Sequence, residues 1–231
     1  MVSRVLTGFT VGALVTLWPP AHAGSVMVPG LAGGIQVEVA SFQAQRFSTV
    51  MRQQYDFSCG SAALASLLTF HYDDSVSEAE VFEGMFDLAD IEKVRREGFS
   101  MLDMKRYLEQ RGYQADGFRM PLEGLRTKVK VPVIVLVNLE GYRHFVIIKG
   151  ISDTAVLVGD PARGLKEYSR SEFEKHWDGA AFLIRSHLAQ GRASFQLAGN
   201  WSGIVRAPLS SAQEGPAIGH TLPYWPSSRE W

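Results

Sequence analysis

Three closely spaced apolar runs, at residues 131–139, 144–151 and 155–158, constrain this chain more than any other feature. Each is rich in Val or Ile and too short for a core helix, which suits strands. Glu140-Gly141 separates the first two and Ser152-Asp153 the last two. These are turn pairs, far too short for a parallel crossover, so an antiparallel meander is expected. The first half reads differently. From Ser61 onward, Ala62, Ala63, Leu64, Ala65, Leu67, Leu68 and Phe70 make a helix apolar on nearly every side, which must be buried. Ser77 with Glu80 forms a capping-box signal for a helix to about Phe86. Ser100 with Asp103 opens another, which carries Leu102, Tyr107 and Leu108 and stops at Gly112. Ser171 with Glu174 caps a short helix to His176, and residues 180–184 read as a last strand. Helices first and strands second predict an α+β domain, with a helical N-terminal half and an antiparallel sheet in the C-terminal half.

The 231 residues are 46% hydrophobic, enough for one sizeable core. With 23 basic against 24 acidic residues and no basic run, nothing draws the chain to nucleic acid or anionic lipid. Residues 1–23 read as an export signal. Arg4 supplies the positive start, residues 5–18 the apolar stretch, Pro19 and Pro20 the break, and Ala21-His22-Ala23 the small-x-small site before Gly24. No other run is long enough to cross a membrane, so no span is expected once the signal is removed. Residues 24–45 form an extension in which residues 35–39 alternate like a half-exposed strand. A domain over residues 46–188 follows. The tail, residues 189–231, holds Pro208, Pro216, Pro223 and Pro226 among Ser, Gly and Gln and reads as loosely packed or disordered. Its Phe195, Trp201, Tyr224 and Trp225 suit docking on the domain or on a partner.

Only one cysteine is present, so an exported chain of this kind has no internal disulfide and no zinc-type Cys/His cluster. Free cysteines are commonly small buried hydrophobes, and local sequence must decide. Cys59 lies directly before the buried helix, where free N–H groups and the helix dipole favour a thiolate. Gly60 is expected to let the backbone approach a substrate closely. A thiolate nucleophile needs a base, and the chain has six histidines. His22 leaves with the signal, His71 ends the buried helix, His176 and His187 flank the last helix and strand, and His220 lies in the tail. His144 opens a strand beside a turn, although a lone histidine is more often a satisfied core residue. Asp160 ends the next strand before Pro161 and can sit beside the start of the His144 strand, orienting the imidazole. It also reads as an ordinary Asp-Pro turn initiator. Gln53 is a candidate oxyanion donor together with the Cys59 N–H, or else a plain polar loop residue.

The ordered set resembles a known family. Gln53, Cys59-Gly60, Ala62-Ala63-Leu64, His144-Phe145-Val146, Gly159-Asp160-Pro161 and Trp177 are similar to the motifs of the bacteriocin-processing, papain-like cysteine peptidases that cut after double-glycine leaders. The resemblance covers roughly residues 47–186. It implies nucleophile Cys59, general base and acid His144, orienting Asp160 and oxyanion donor Gln53, with no metal and no cofactor. Ser58 stands where the family often has Asp, and Asp56 lies two residues earlier. Most members are fused to a transporter; this chain is more similar to the stand-alone periplasmic branch that serves bacterial functional-amyloid (Fap) secretion. That likeness implies a secreted protein or amyloid subunit as substrate, cut at a Gly-Gly type site, and an outer-membrane secretion component as partner. Two other readings use the same residues: a catalytically silent peptide-binding module, and an acyl transferase. Gly33-Gly34 resembles a self-cleavage site, but a flexible entry to the first strand is the simpler reading.

Overall fold

A computed structural model describes residues 25–28, 35–38, 42–197 and 201. Residues 1–23, expected to be an export signal, and Gly33-Gly34, His220, Tyr224 and Trp225 lie outside the described residues. The chain divides into two compact units, Met1–Ser41 and Phe42–Trp231. The first contains an antiparallel hairpin of β1 (Ser25–Val28) and β2 (Ile35–Glu38), the second strand falling where Ile35 and Val37 alternate with Gln36 and Glu38.

In the second unit the helices come first: α1 (Phe42–Arg46), α2 (Cys59–His71), α3 (Glu78–Phe86), α4 (Ile91–Glu97) and α5 (Met101–Gln110). β3 (Ala115–Arg119) follows, then α6 (Leu122–Gly124), which runs into a π-helical turn over Leu125–Val129. The meander is β4 (Val133–Leu139), β5 (Tyr142–Ile151), β6 (Ala155–Asp160) and β7 (Gly164–Ser169). α7 (Arg170–His176), β8 (Trp177–Ile184) and α8 (Leu188–Ser194) complete the order. The strands form one six-stranded antiparallel sheet, ordered β3-β8-β4-β5-β6-β7. The expected α+β fold, helices before sheet, is what forms.

The sheet is covered on both faces, which explains why its strands read as unbroken apolar runs rather than alternating ones. One face presents Ile134, Phe145, Ile147 and Phe182 to Leu64, Leu67 and Leu68 of α2. The other presents Val135, Val146, Ile148 and Val158 to Leu122, Leu125 and Phe173. α2 is buried along almost its whole length, as its Ala and Leu content requires. The Ser100–Asp103 capping box is fully formed, and Ser77 caps α3 through the Glu80 N–H.

Several boundaries differ from the sequence reading. α2 begins at Cys59 rather than Ser61, so Cys59 occupies the first turn. The cap of α7 is Ser169, accepting from the Glu172 N–H, not Ser171; the β7 ladder runs through Ser169 and sets where the helix can start. β8 begins at Trp177, three residues before the apolar stretch that signalled it, because Trp177 pairs with Val137. β3, β7 and α4 carry too few apolar residues to announce themselves. The tail is not loose at its start: α8 buries Gly191 and Ser194, Phe195 packs on the core, and Trp201 packs against Val50, Leu157 and Leu165.

One turn is tightly specified. Gly164, opening β7, has φ +79, and a Cβ there would lie 2.6 Å from the Arg46 carbonyl oxygen. Gly164→Ala is expected to cost about 2 kcal/mol or more, because left-handed strain and a backbone clash add. A urea titration of the variant against the parent chain measures it.

Candidate active site

Cys59 is the first residue of α2 and is buried, 9% exposed. Ser58, the N-cap residue, does not cap the helix with its side chain. Its hydroxyl turns back instead, accepting from the Tyr55 N–H at 3.1 Å and donating to the Tyr55 carbonyl at 3.0 Å. The helix ladder starts with the Ala62 N–H donating to the Ser58 carbonyl. The first-turn N–H groups are therefore left without a side-chain acceptor, a setting that favours negative charge beside them. Gly60 also serves the packing of α2. It is buried, and a Cβ on it would meet Met104 at 3.0 Å, Phe99 at 3.3 Å and Phe145 at 3.5 Å. Its small size lets α2 seat against the core and the His144 strand.

His144 and Asp160 meet as expected. Glu140 and Gly141 both adopt positive φ, closing the two-residue loop between β4 and β5. His144 is the third residue of β5, and Asp160 ends β6 on the neighbouring strand. His144 Nε2 lies 2.7 Å from Asp160 Oδ1, with both side chains 2% exposed. The same carboxylate oxygen accepts from the N–H groups of Ala162 at 2.8 Å and Arg163 at 3.2 Å. The turn-initiating role and the orienting role thus belong to one residue. An ionised carboxylate only accepts, so Nε2 carries the hydrogen. Val137, Val146, Val158, Tyr168 and Phe173 line the hollow beside Asp160 and keep the pair in an apolar setting.

His144 Nδ1 is buried and has no oxygen or nitrogen partner. Cys59 is near enough to the ring to favour its charged form. Burial opposes charge on His144, but the hydrogen bond to Asp160 and the Cys59 side chain outweigh it and push the imidazole up to about 9. Burial works against the Asp160 carboxylate as well, yet His144 and the two backbone N–H groups hold it below its usual range. The imidazole is therefore charged at neutral pH, which is the state that stabilises a thiolate.

Gln53 is tied to the same place. Its backbone N–H donates to the Pro161 carbonyl at 3.0 Å, next to Asp160. Its side-chain amide donates to the Tyr55 carbonyl at 3.0 Å, which leaves the second amide hydrogen available. The remaining histidines are otherwise placed. His71 is buried at the end of α2, and burial, then Lys149, hold its pKa well below 6.5. His176 Nδ1 lies 3.1 Å from the Asn138 carbonyl, and His187 packs beside Tyr113. Two residues escaped the sequence reading. Tyr142 stacks on His144, and Lys149 is wholly buried in β5. The period of β5 places residue 142 on the His144 face, a signal available beforehand; nothing local marks Lys149 as buried. Among the described residues no group of side chains is arranged to hold a metal ion, and no helix is long and apolar enough to cross a membrane.

A thiol from the helical half meets an imidazole and carboxylate from the sheet half, and that division of labour is the papain-like plan of a cysteine peptidase. Residues 48–188 match the Peptidase C39 family. The chain belongs to that family and is a cysteine peptidase. It is 43% identical over 165 residues to the "Probable functional amyloid protease FapD" of Pseudomonas aeruginosa, covering 71% of this chain and 73% of that one. The protein of the same description from Pseudomonas fluorescens is 42% identical over 177 residues, covering 76% and 78%. Among solved structures, the double-glycine motif protease of an AMS/PCAT transporter, in complex with the leader peptide, is 27% identical with a TM-score of 0.51. That match covers 58% of this chain and 89% of that one. The peptidase domain of Streptococcus ComA, 21% identical with a TM-score of 0.51 over 59% of this chain and 96% of that one, shares the fold.

Proposed function

We propose that this chain is an exported peptidase of the periplasm. In this reading it cuts a secreted protein, such as an amyloid subunit, at or after a Gly-Gly type site in support of functional-amyloid secretion. The observation that carries the chemistry is the buried His144–Asp160 pair at 2.7 Å, with the ring's other nitrogen turned toward Cys59. The likeness to the two proteins described as functional amyloid proteases supports the setting, and the double-glycine motif protease supports the cleavage site. Residues 1–23 would be removed on export. Residues 24–45 would extend from a peptidase domain over 46–188, with 189–231 as a tail, and an outer-membrane secretion component is the partner this setting calls for.

In the proposed reaction the Cys59 thiolate attacks the scissile carbonyl carbon, forming the S–C bond. The Cys59 N–H and the free hydrogen of the Gln53 amide hold the resulting oxyanion. The C–N bond breaks as His144 Nδ1 gives its proton to the leaving amine. A water, deprotonated by the now neutral His144, attacks the acyl carbon, and the S–C bond breaks to release the acid and restore the thiolate beside the charged imidazole. Asp160 keeps the ring in one tautomer throughout.

The test uses the single thiol. The purified chain is given a fluorogenic Gly-Gly peptide before and after alkylation with iodoacetamide. Hydrolysis that disappears on alkylation is the expected result. Binding without turnover would favour a peptide-binding module instead, and a product formed only with an added amine would favour acyl transfer.

A further inference from the structure

We propose that Tyr142 is a positioning residue for the Cys59–His144 pair, a bridge from the histidine strand to the loop ahead of the cysteine that also covers one face of the imidazole. The inference rests on the roles proposed above for Cys59 and His144. Its basis is the way the two halves of the site are joined. Cys59 comes from the helical half and His144 from the sheet. Residues 53–58, which lead into Cys59, reach the sheet through two hydrogen bonds. The Gln53 N–H donates to the Pro161 carbonyl at 3.0 Å, on the Asp160 side. The Tyr142 hydroxyl donates to the Asp56 carbonyl at 3.2 Å, on the His144 side. One bond therefore registers the loop against the carboxylate, and the other against the imidazole.

The ring of Tyr142 does a second thing. Residues 142 and 144 share a face of β5 because strand side chains alternate. Their ring centroids are 5.8 Å apart with planes 24° from parallel, a stacked pair. One edge of the imidazole is held by Asp160, the other looks toward Cys59, and Tyr142 fixes a face. Val146, the next residue on the same face, belongs to the core. Tyr142 is nonetheless 52% exposed, which the packing of a core residue would not leave. Its phenol is held above its usual pKa by partial burial and then by its nearness to Cys59, Asp56 and Asp160, so it stays a donor. The loop behind it, Glu140-Gly141, is a two-residue turn at the end of the ladder, in which the Gly141 N–H donates to Asn138 Oδ1 at 2.8 Å. Without the bridge, the start of β5 would keep its pairing with β4 and the His144–Asp160 bond but lose its tie to the loop ahead of Cys59.

The experiment follows alkylation of Cys59, which is the only thiol and so reports on the pair without any substrate. The rate with iodoacetamide is measured at pH 6 and at pH 10 in the parent chain, Tyr142→Phe, Tyr142→Leu and His144→Ala. A thiolate maintained by a well-placed imidazolium reacts at pH 6 nearly as fast as at pH 10. Tyr142→Phe keeps the stack and loses the bridge; the ratio of the two rates is expected to fall about threefold. Tyr142→Leu loses both and is expected to lower it about tenfold, with kcat falling in step, KM unchanged and thermal midpoint unchanged. Parent-like ratios and kcat in both Tyr142 variants would overturn the inference, as would a change confined to KM, which would make Tyr142 a substrate contact. Should Tyr142→Leu not fold, the Phe variant alone decides. If His144→Ala leaves the ratio as in the parent, the Cys59–His144 pairing itself is wrong; if only the Tyr142 variants are silent, the pairing stands and the positioning role falls.

Discussion

Replacing His144 by alanine is expected to lower peptide turnover by about a thousandfold or more, while the chain stays folded. The loss combines general acid–base transfer, on the order of a hundred- to ten-thousandfold, with loss of the imidazolium that supports the thiolate. The pH profile carries the finer information. With the imidazole pushed up to about 9, the alkaline limb of kcat/KM should fall near pH 9, where the ring loses its proton. Asp160→Asn keeps an oxygen that can accept from His144 Nε2, Ala162 and Arg163 but removes the negative charge. That limb should then move down toward the ordinary histidine value of about 6.5. A limb unmoved in Asp160→Asn would mean the carboxylate does not set the ring's charge. Stability follows the same pair. A raised imidazole pKa means its contribution is complete below about 6.5 and is lost as pH rises through about 9, amounting to roughly 3 kcal/mol. In His144→Ala this alkaline loss should disappear.

The second large effect concerns Lys149, which is 0% exposed. Its Nζ donates to the Thr49 carbonyl and the Thr49 hydroxyl, each at 2.7 Å, and lies 5.8 Å from the centre of the Phe70 ring. Burial pulls its pKa down to about 7. Between about 7 and the usual lysine value near 10.4 the unfolded chain binds the proton and the folded chain does not, so stability rises with pH across that window. The burial penalty at neutral pH is therefore about 5 kcal/mol, offset in part by the Thr49 bonds. Lys149→Met fills the same space without the charge and is expected to stabilise the chain by about 2 kcal/mol at pH 7. The variant should also lose the rise in stability above pH 7, exposing the decline through about pH 9 that His144 causes. Urea unfolding at pH 6.5, 8 and 9.5 separates the two curves. Turnover should fall at the same time, because Lys149 pins the segment that runs from Thr49 through Val50 to Gln53. A Lys149→Met chain less stable than the parent at pH 7 would mean the Thr49 hydrogen bonds outweigh the burial cost.

These two residues mark the limits of what local pattern can reveal. His144 was legible because it stands in a β-branched run beside a turn, with Asp160 at the end of the next run. In an antiparallel meander those two ends must meet. Lys149 lies in the same run, and its neighbours Ile147, Ile148 and Ile151 place it in a strand. Burial of its ammonium depends on Thr49, a hundred residues earlier, folding across it. Tyr142 is intermediate: strand period sets its face, but its bond to Asp56 spans 86 residues and exists only once helix and sheet have docked.

The sequence by itself determined the α+β order, the meander, the buried helix and the motif set around the lone cysteine. Each follows from spacing within a few residues, where propensity, turn chemistry and period agree. Tertiary structure decided the rest. Burial on both sheet faces drew β3, β7 and α4, whose own patterns are weak, into the fold. The β7 ladder moved the α7 cap to Ser169, and docking of α8 and Trp201 closed over a region that composition alone presents as loose. The same docking turned Gly60 toward the core, bent Ser58 back from the helix it precedes, and set the charge on His144. Close approach between distant segments and exclusion of water have no local signature, so the residues governed by them could be read only from the assembled fold.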